Sequence, residues 1–210
     1  MREMASRVEL ALLAVATALP AAGCFNITLG KDDGIQPVTY DETFTDLPDL
    51  ASAPDGTVAV PTKSGEIMRA TISTQADGAR GVLFARQIVV FDDAQAAHDL
   101  DRFGPDQIGA IRGVKLLRVE SRYDGLDLLR APPPSLTVGS RTLGPGDDSV
   151  ELDDDTVDTI RSDLLTPKAV ALPFALQVTV PAGASDALAS ELHVTIVLQP
   201  ELTVDATRAL

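Results

Sequence analysis

Two stretches near the end of the chain constrain its fold most. In Ala169–Val180 the even positions are Val170, Leu172, Phe174, Leu176, Val178 and Val180, and the odd positions hold Ala, Pro, Gln and Thr. In Glu191–Asp205 the even positions include Leu192, Val194, Ile196, Leu198, Leu202 and Val204, while Glu, His, Thr, Val, Gln and Asp fall between them. Successive side chains of a strand point to opposite faces, so an apolar residue at every second position marks a strand with one buried face. Pro181–Ser190, with Gly183, separates the two runs as a turn between antiparallel strands. Pro200 falls on the inward parity of the second run, which marks a bend or an edge position there.

The same reading extends backwards. Thr57–Val60 and Glu66–Thr74 alternate, and Pro61, Lys63 and Ser64-Gly65 between them predict a hairpin. Val82–Phe91 is apolar and β-branched near its end. Ile108–Tyr123 is a long strand whose parity shifts at Leu116-Leu117, predicting a bulge there before Asp124-Gly125 ends it. Pro132-Pro133-Pro134 is extended and cannot pair as a central strand. Ser135–Leu143 and Val150–Leu152 are further strands, with the turn Gly144–Asp148 between them. Helical spacing occurs twice: Ala96, Ala97, Leu100 and Phe103 share a face in Ala94–Phe103, and Val157, Ile160 and Leu164 share another. Short strands with Gly/Pro turns and little helix predict an all-β fold with minor α content, an antiparallel β-sandwich. Its apolar-x-apolar strands are similar to sandwich domains of the immunoglobulin class and of the desiccation-associated LEA type 2 class. The single cysteine forbids the intersheet disulfide of antibody domains.

That cysteine, Cys24, sits in a distinctive context. Arg2 and Arg7 precede the apolar run Leu10–Leu19, Pro20 breaks it, and Ala21-Ala22-Gly23 are small. This is the layout of a secretory signal, and the run is shorter than the roughly 20 residues a membrane span needs. Ala21-Ala22-Gly23-Cys24 resembles a bacterial lipobox, with Ala21 where that family usually has Leu. The resemblance implies cleavage between Gly23 and Cys24, a diacylglycerol thioether on the Cys24 sulfur and acylation of its amine. Phe25 rather than Asp follows, which in that family implies no inner-membrane retention and an outer-membrane location. Cleavage by the ordinary signal peptidase after Ala18 would instead leave a free thiol. The expected organisation is a signal peptide over 1–23, a lipid-anchored tether and wrapping segment over 24–56, and the sandwich over 57–210. Phe25–Leu29 is a short strand candidate, Gly30–Gly34 is turn chemistry, and Ile35–Gly56, with Pro37, Pro48 and Pro54, has little periodicity.

The chain carries 31 acidic and 17 basic residues, a formal charge of −14. Removing 1–23 takes two of each sign, so the acidity belongs to the mature body. Such a body cannot neutralise a phosphate backbone, which argues against a nucleic-acid partner. It is not drawn to an anionic bilayer by charge, so a lipid anchor would do that work. The absence of Trp and the two Tyr lower the case for sugar-binding or base-stacking platforms.

Few motifs suggest chemistry. The stretch Asp147 to Asp155, above all Asp153, Asp154 and Asp155, is the candidate calcium site, since calcium takes six to eight oxygens. It lacks the EF-hand pattern, and aspartates ahead of Val157 also read as a helix N-cap. His98 and His193 are the only histidines. His193 falls on the outward parity beside Glu191 and Thr195, and both histidines read as solvated. Thr62-Lys63-Ser64-Gly65 reads as a turn, and there is no G-x-S-x-G elbow. No catalytic residue, cofactor or zinc site is expected. The reading is a non-enzymatic envelope lipoprotein, attached to the membrane by its lipid and binding or scaffolding an envelope protein. An apolar-ligand carrier with a cavity between its sheets, or a secreted hydrolase, are the alternatives.

Overall fold

The computed structural model describes residues 26–47, 53–91, 105–166 and 169–208. The signal segment, Gly23, Cys24, the predicted helix 94–103 and His98 lie outside the described residues.

The two strictly alternating runs form the middle of the two sheets. Strand β10 (Val170–Val180) buries every even residue from Val170 to Val180. Strand β11 (Leu188–Asp205) does the same from Leu192 to Leu198 and again at Leu202 and Val204. One sheet surrounds β11. On one side lies β6 (Ile111–Leu126), followed by the short β9 (Ser149–Glu151). On the other side lie β2 (Val38–Phe44), against Leu192–Leu198, and β1 (Asn26–Leu29), against Leu202–Asp205. The second sheet runs β3 (Gly56–Pro61), β4 (Ile67–Thr74), β5 (Arg80–Phe91), β10, β7 (Ser135–Val138) and β8 (Arg141–Leu143). All pairings are antiparallel.

The inner faces share one apolar core. Tyr40 of β2 meets Phe174 of β10 at a ring separation of 4.8 Å, and Phe44 of β2 meets Phe84 of β5 at 4.3 Å. Each fully buried side chain of this size contributes about 1.5–3 kcal/mol. Among the described residues two α-helices complete the body: α1 (Pro105–Gly109) leads into β6, and α2 (Asp154–Leu165) buries Val157, Ile160 and Leu164. Helix α2 touches β6 of one sheet and β10 of the other, which places it across the open side of the sandwich.

Four local expectations are corrected. Ile35–Gly56, read from its little periodicity as part of the tether and wrapping segment, contributes the regular strand β2 to the core. Its inward residues are Val38, Tyr40, Glu42 and Phe44, and the charged Glu42 hides the alternation. The end of β2 also stitches the sheets together: Phe44 bridges to Thr62, the Thr45 N–H donates to the Pro61 carbonyl at 2.8 Å, and the Lys63 N–H donates to the Thr43 carbonyl at 2.8 Å. Ser135–Leu143 is two strands, because Gly139, at φ +62°, opens a two-residue turn between Val138 and Arg141. The parity shift in β6 is real but sits elsewhere. The register skips Val119 and Arg112, so these are the bulged residues; Val119 is 65% exposed. Finally, β6 continues through Gly125. That residue has φ +100°, and a Cβ there would lie 2.1 Å from the Glu191 carbonyl oxygen. Only glycine fits.

Pro200 lies between the β2 and β1 pairings of β11, where that side of the strand has no ladder partner. A residue without an N–H is tolerated at such an interruption. The neighbouring Gln199 side chain fills the gap, donating to the Ile35 carbonyl at 2.9 Å and the Pro200 carbonyl at 3.0 Å.

Candidate functional site

The acidic stretch forms one wall of an open cleft of about 850 Å³, which Arg141, Asp147, Glu151 and Asp153 to Asp155 help to line. Its aspartates have local work. Asp153 is the N-cap of α2: its carboxylate accepts from the Thr156 N–H at 2.9 Å and from the Thr156 hydroxyl at 3.0 Å. It also accepts from the Ser140 hydroxyl in the β7–β8 turn. These donors, Ser140 first, hold its carboxyl well below the ordinary range, at about 2. Asp154 and Asp155 occupy the first helical turn, where the dipole favours negative charge. Asp147 accepts the Gly144 N–H at 2.7 Å and closes the preceding turn. Among the described residues, no three His, Cys, Asp or Glu side chains are grouped to hold a metal ion.

His193 projects from the outer face of the β11 sheet, as its parity predicts. The structure adds partners that the sequence did not suggest. Nε2 lies 2.6 Å from Asp41 Oδ1 on β2, and Nδ1 lies 3.8 Å from Asp124 Oδ2 on β6. Arg122 in turn lies 2.9 Å from Asp124. A Ser-His-Asp device needs one ring nitrogen on the carboxylate and the other on a nucleophile. Here Nε2 also lies 3.4 Å from the Thr195 hydroxyl, which donates to Asp41 at 3.4 Å, and the histidine ties three neighbouring strands together across an open face.

A buried polar cluster joins the two sheets. Glu42, only 8% exposed, lies 3.6 Å from Arg86 of β5 and accepts the Thr43 N–H at 3.2 Å. Ser64, in the β3–β4 turn, donates to it at 3.4 Å. The Arg86 guanidinium stands 5.5 Å from the Tyr40 ring centre. Burial pushes the Tyr40 hydroxyl up to about 12 against the opposing pull of Arg86, and among the described residues that hydroxyl has no partner of ordinary hydrogen-bond geometry.

One exposed apolar feature stands out. In the loop after β6, Leu129 is 97% exposed and Leu128 49%. The loop is braced. The Asp127 N–H donates to the Ala187 carbonyl at 2.8 Å, and the Arg130 and Ala131 N–H groups return to the Asp127 carbonyl at 3.0 and 2.9 Å. The Asp127 side chain accepts the Leu129 N–H at 3.0 Å. Arg130 pairs with Asp186 at 2.6 Å and holds that carboxyl below its ordinary range.

Compared with known proteins, the chain matches no family model, no curated protein and no solved structure. Among the described residues, no helix is long and apolar enough to cross a membrane.

Proposed function

We propose that this chain is a lipid-anchored protein of the bacterial envelope, held in the outer membrane through Cys24, and that its sandwich is a non-enzymatic module that binds or scaffolds another envelope protein. One observation carries the reading: the lipobox-like Ala21-Ala22-Gly23-Cys24 is followed almost at once by the folded body, since Asn26 already pairs with Asp205. A folded domain starting two residues after an acylated terminus has no need of a basic patch to stay on a membrane. The engagement of Asp153 and His193 in local structure supports a binding role over catalysis. So does the braced loop that holds Leu128 and Leu129 in solvent.

The test is the mass of the mature N-terminal peptide from the membrane fraction of the native host. The expected peptide begins at Cys24 and carries acyl-glycerol mass. An unmodified terminus at another residue would sink the anchor. The carrier alternative needs space between the sheets, where Tyr40, Phe44, Phe84 and Phe174 interlock. Native mass spectrometry without co-purified ligand is the expected result.

A further inference from the structure

The position of β1 decides which part of the sandwich meets the membrane. Each residue advances a chain by at most about 3.6 Å. Asn26 is two residues beyond Cys24, so it lies within roughly 7 Å of the anchored atom by the same limit. Asn26 pairs with Asp205, the last residue of β11. The Asp205 N–H donates to the Ala110 carbonyl at 2.9 Å, which brings the start of β6 and helix α1 to the same end.

We infer that the sandwich stands on this end, with Asn26, Gly109 and Asp205–Arg208 against the lipid headgroups and its strands rising away from the bilayer. The inference rests on the lipid-anchor reading and adds an orientation to it. Helix α2 packs against α1 and adds Asp154, Asp155, Asp158 and Asp163 with Arg161 to this end, so the lipid chains and not charge hold it on the bilayer. Two arginines converge on one carboxylate, with Arg112 at 3.6 Å and Arg208 at 3.7 Å from Asp205. Arg208, 67% exposed at its side chain, keeps donors for a phosphate.

The opposite end follows from strand length. β6 runs from Ile111 at the base to Leu126 at the top, and at about 3.3 Å per residue this is roughly 45–50 Å. The Leu128–Leu129 loop follows directly. It is therefore held far above the membrane that carries the anchor, facing whatever lies across the compartment.

The experiment uses the full lipidated protein in vesicles of phosphatidylethanolamine and phosphatidylglycerol. Lipidation consumes the only native cysteine, so one added thiol can be labelled alone. Gly109→Cys suits the base, because a Cβ there meets nothing within 4 Å. Leu129→Cys suits the top, being almost fully exposed. Each carries a fluorophore, and the vesicles carry a headgroup-level quencher. The expected result is strong quenching at residue 109 and little at residue 129. Equal quenching at both would mean a sandwich lying on its side and would overturn the orientation, with the anchor intact. Failure of the protein to float with vesicles, or equal flotation of Cys24→Ala, would overturn the anchor and the orientation with it.

Discussion

Strands β2 and β10 face each other across the same core, and Tyr40 of one touches Phe174 of the other. They bury different chemistry. β10 turns only Val, Leu and Phe inward, whereas β2 turns in Val38, Tyr40, Glu42 and Phe44. β10 is held by contact area, which is insensitive to direction and to pH. β2 is held partly by named pairs, Glu42 with Arg86 and Ser64, which fix where the edge of one sheet meets the other. Apolar burial fills the core of this sandwich, and one small polar cluster at Glu42 crosses between its sheets.

The largest effect separating the two strands should come from β10. Leu176→Ala removes a fully buried side chain from the middle of the core and should cost about 3–4 kcal/mol, read as a lower denaturant midpoint with unchanged slope. A loss below about 1 kcal/mol would mean the core there can collapse around the gap.

Breaking the β2 cluster should cost less and depend on how it is broken. Arg86→Ala leaves the Glu42 carboxylate buried beside Phe44, and the expected loss is about 2 kcal/mol. Replacing both together, as Glu42→Leu with Arg86→Met, should restore most of that loss, because an apolar pair of similar volume carries no stranded charge. If the double variant were as unstable as Arg86→Ala, the pair would be contributing more than charge compensation.

Tyr40→Phe sharpens the contrast through pH. Among the described residues the hydroxyl has no partner of ordinary hydrogen-bond geometry, so at neutral pH its removal should change stability by less than about 1 kcal/mol, in either direction. The folded pKa, about 12, lies above the ordinary value of 10. Stability is therefore intact below pH 10 and falls as pH rises towards 12, where the unfolded tyrosine ionises and the folded one resists. Alkaline melts of wild type and Tyr40→Phe should run in parallel below pH 10 and diverge above it, with wild type losing more.

The smallest effect belongs to the outer face. His193→Ala removes a half-exposed pair with Asp41, and the expected change is within about 0.2–1 kcal/mol. It should fade further in salt.

The same contrast explains what the sequence disclosed. β10 and β11 were legible because every inward residue is apolar, and the Asp153 cap was legible because N-caps are local chemistry. β2 was obscured by Glu42, whose burial makes sense only once Arg86 and Ser64 arrive from distant positions. The β7–β8 turn was missed because Gly139-Ser140 interrupts an otherwise continuous strand pattern without the usual Asn-Gly signature. The bulge was misplaced because its extra residue, Val119, is apolar yet exposed, so hydrophobicity pointed to Leu116-Leu117 instead. Asp41 and Asp124 came to His193 by cross-strand pairing, and no local spacing encodes that.

The placement of β11 also sets a timetable. β1, β2 and β6 all pair with it, and without it the only pairing left in their sheet is β6 with β9. The other sheet can assemble local pieces early, β3–β4–β5 and β7–β8, which β10 then joins. β1, β2 and β6 therefore cannot complete their native pairing until β11 is made. Such delayed closure is slow, since distant segments must meet before any contact rewards them.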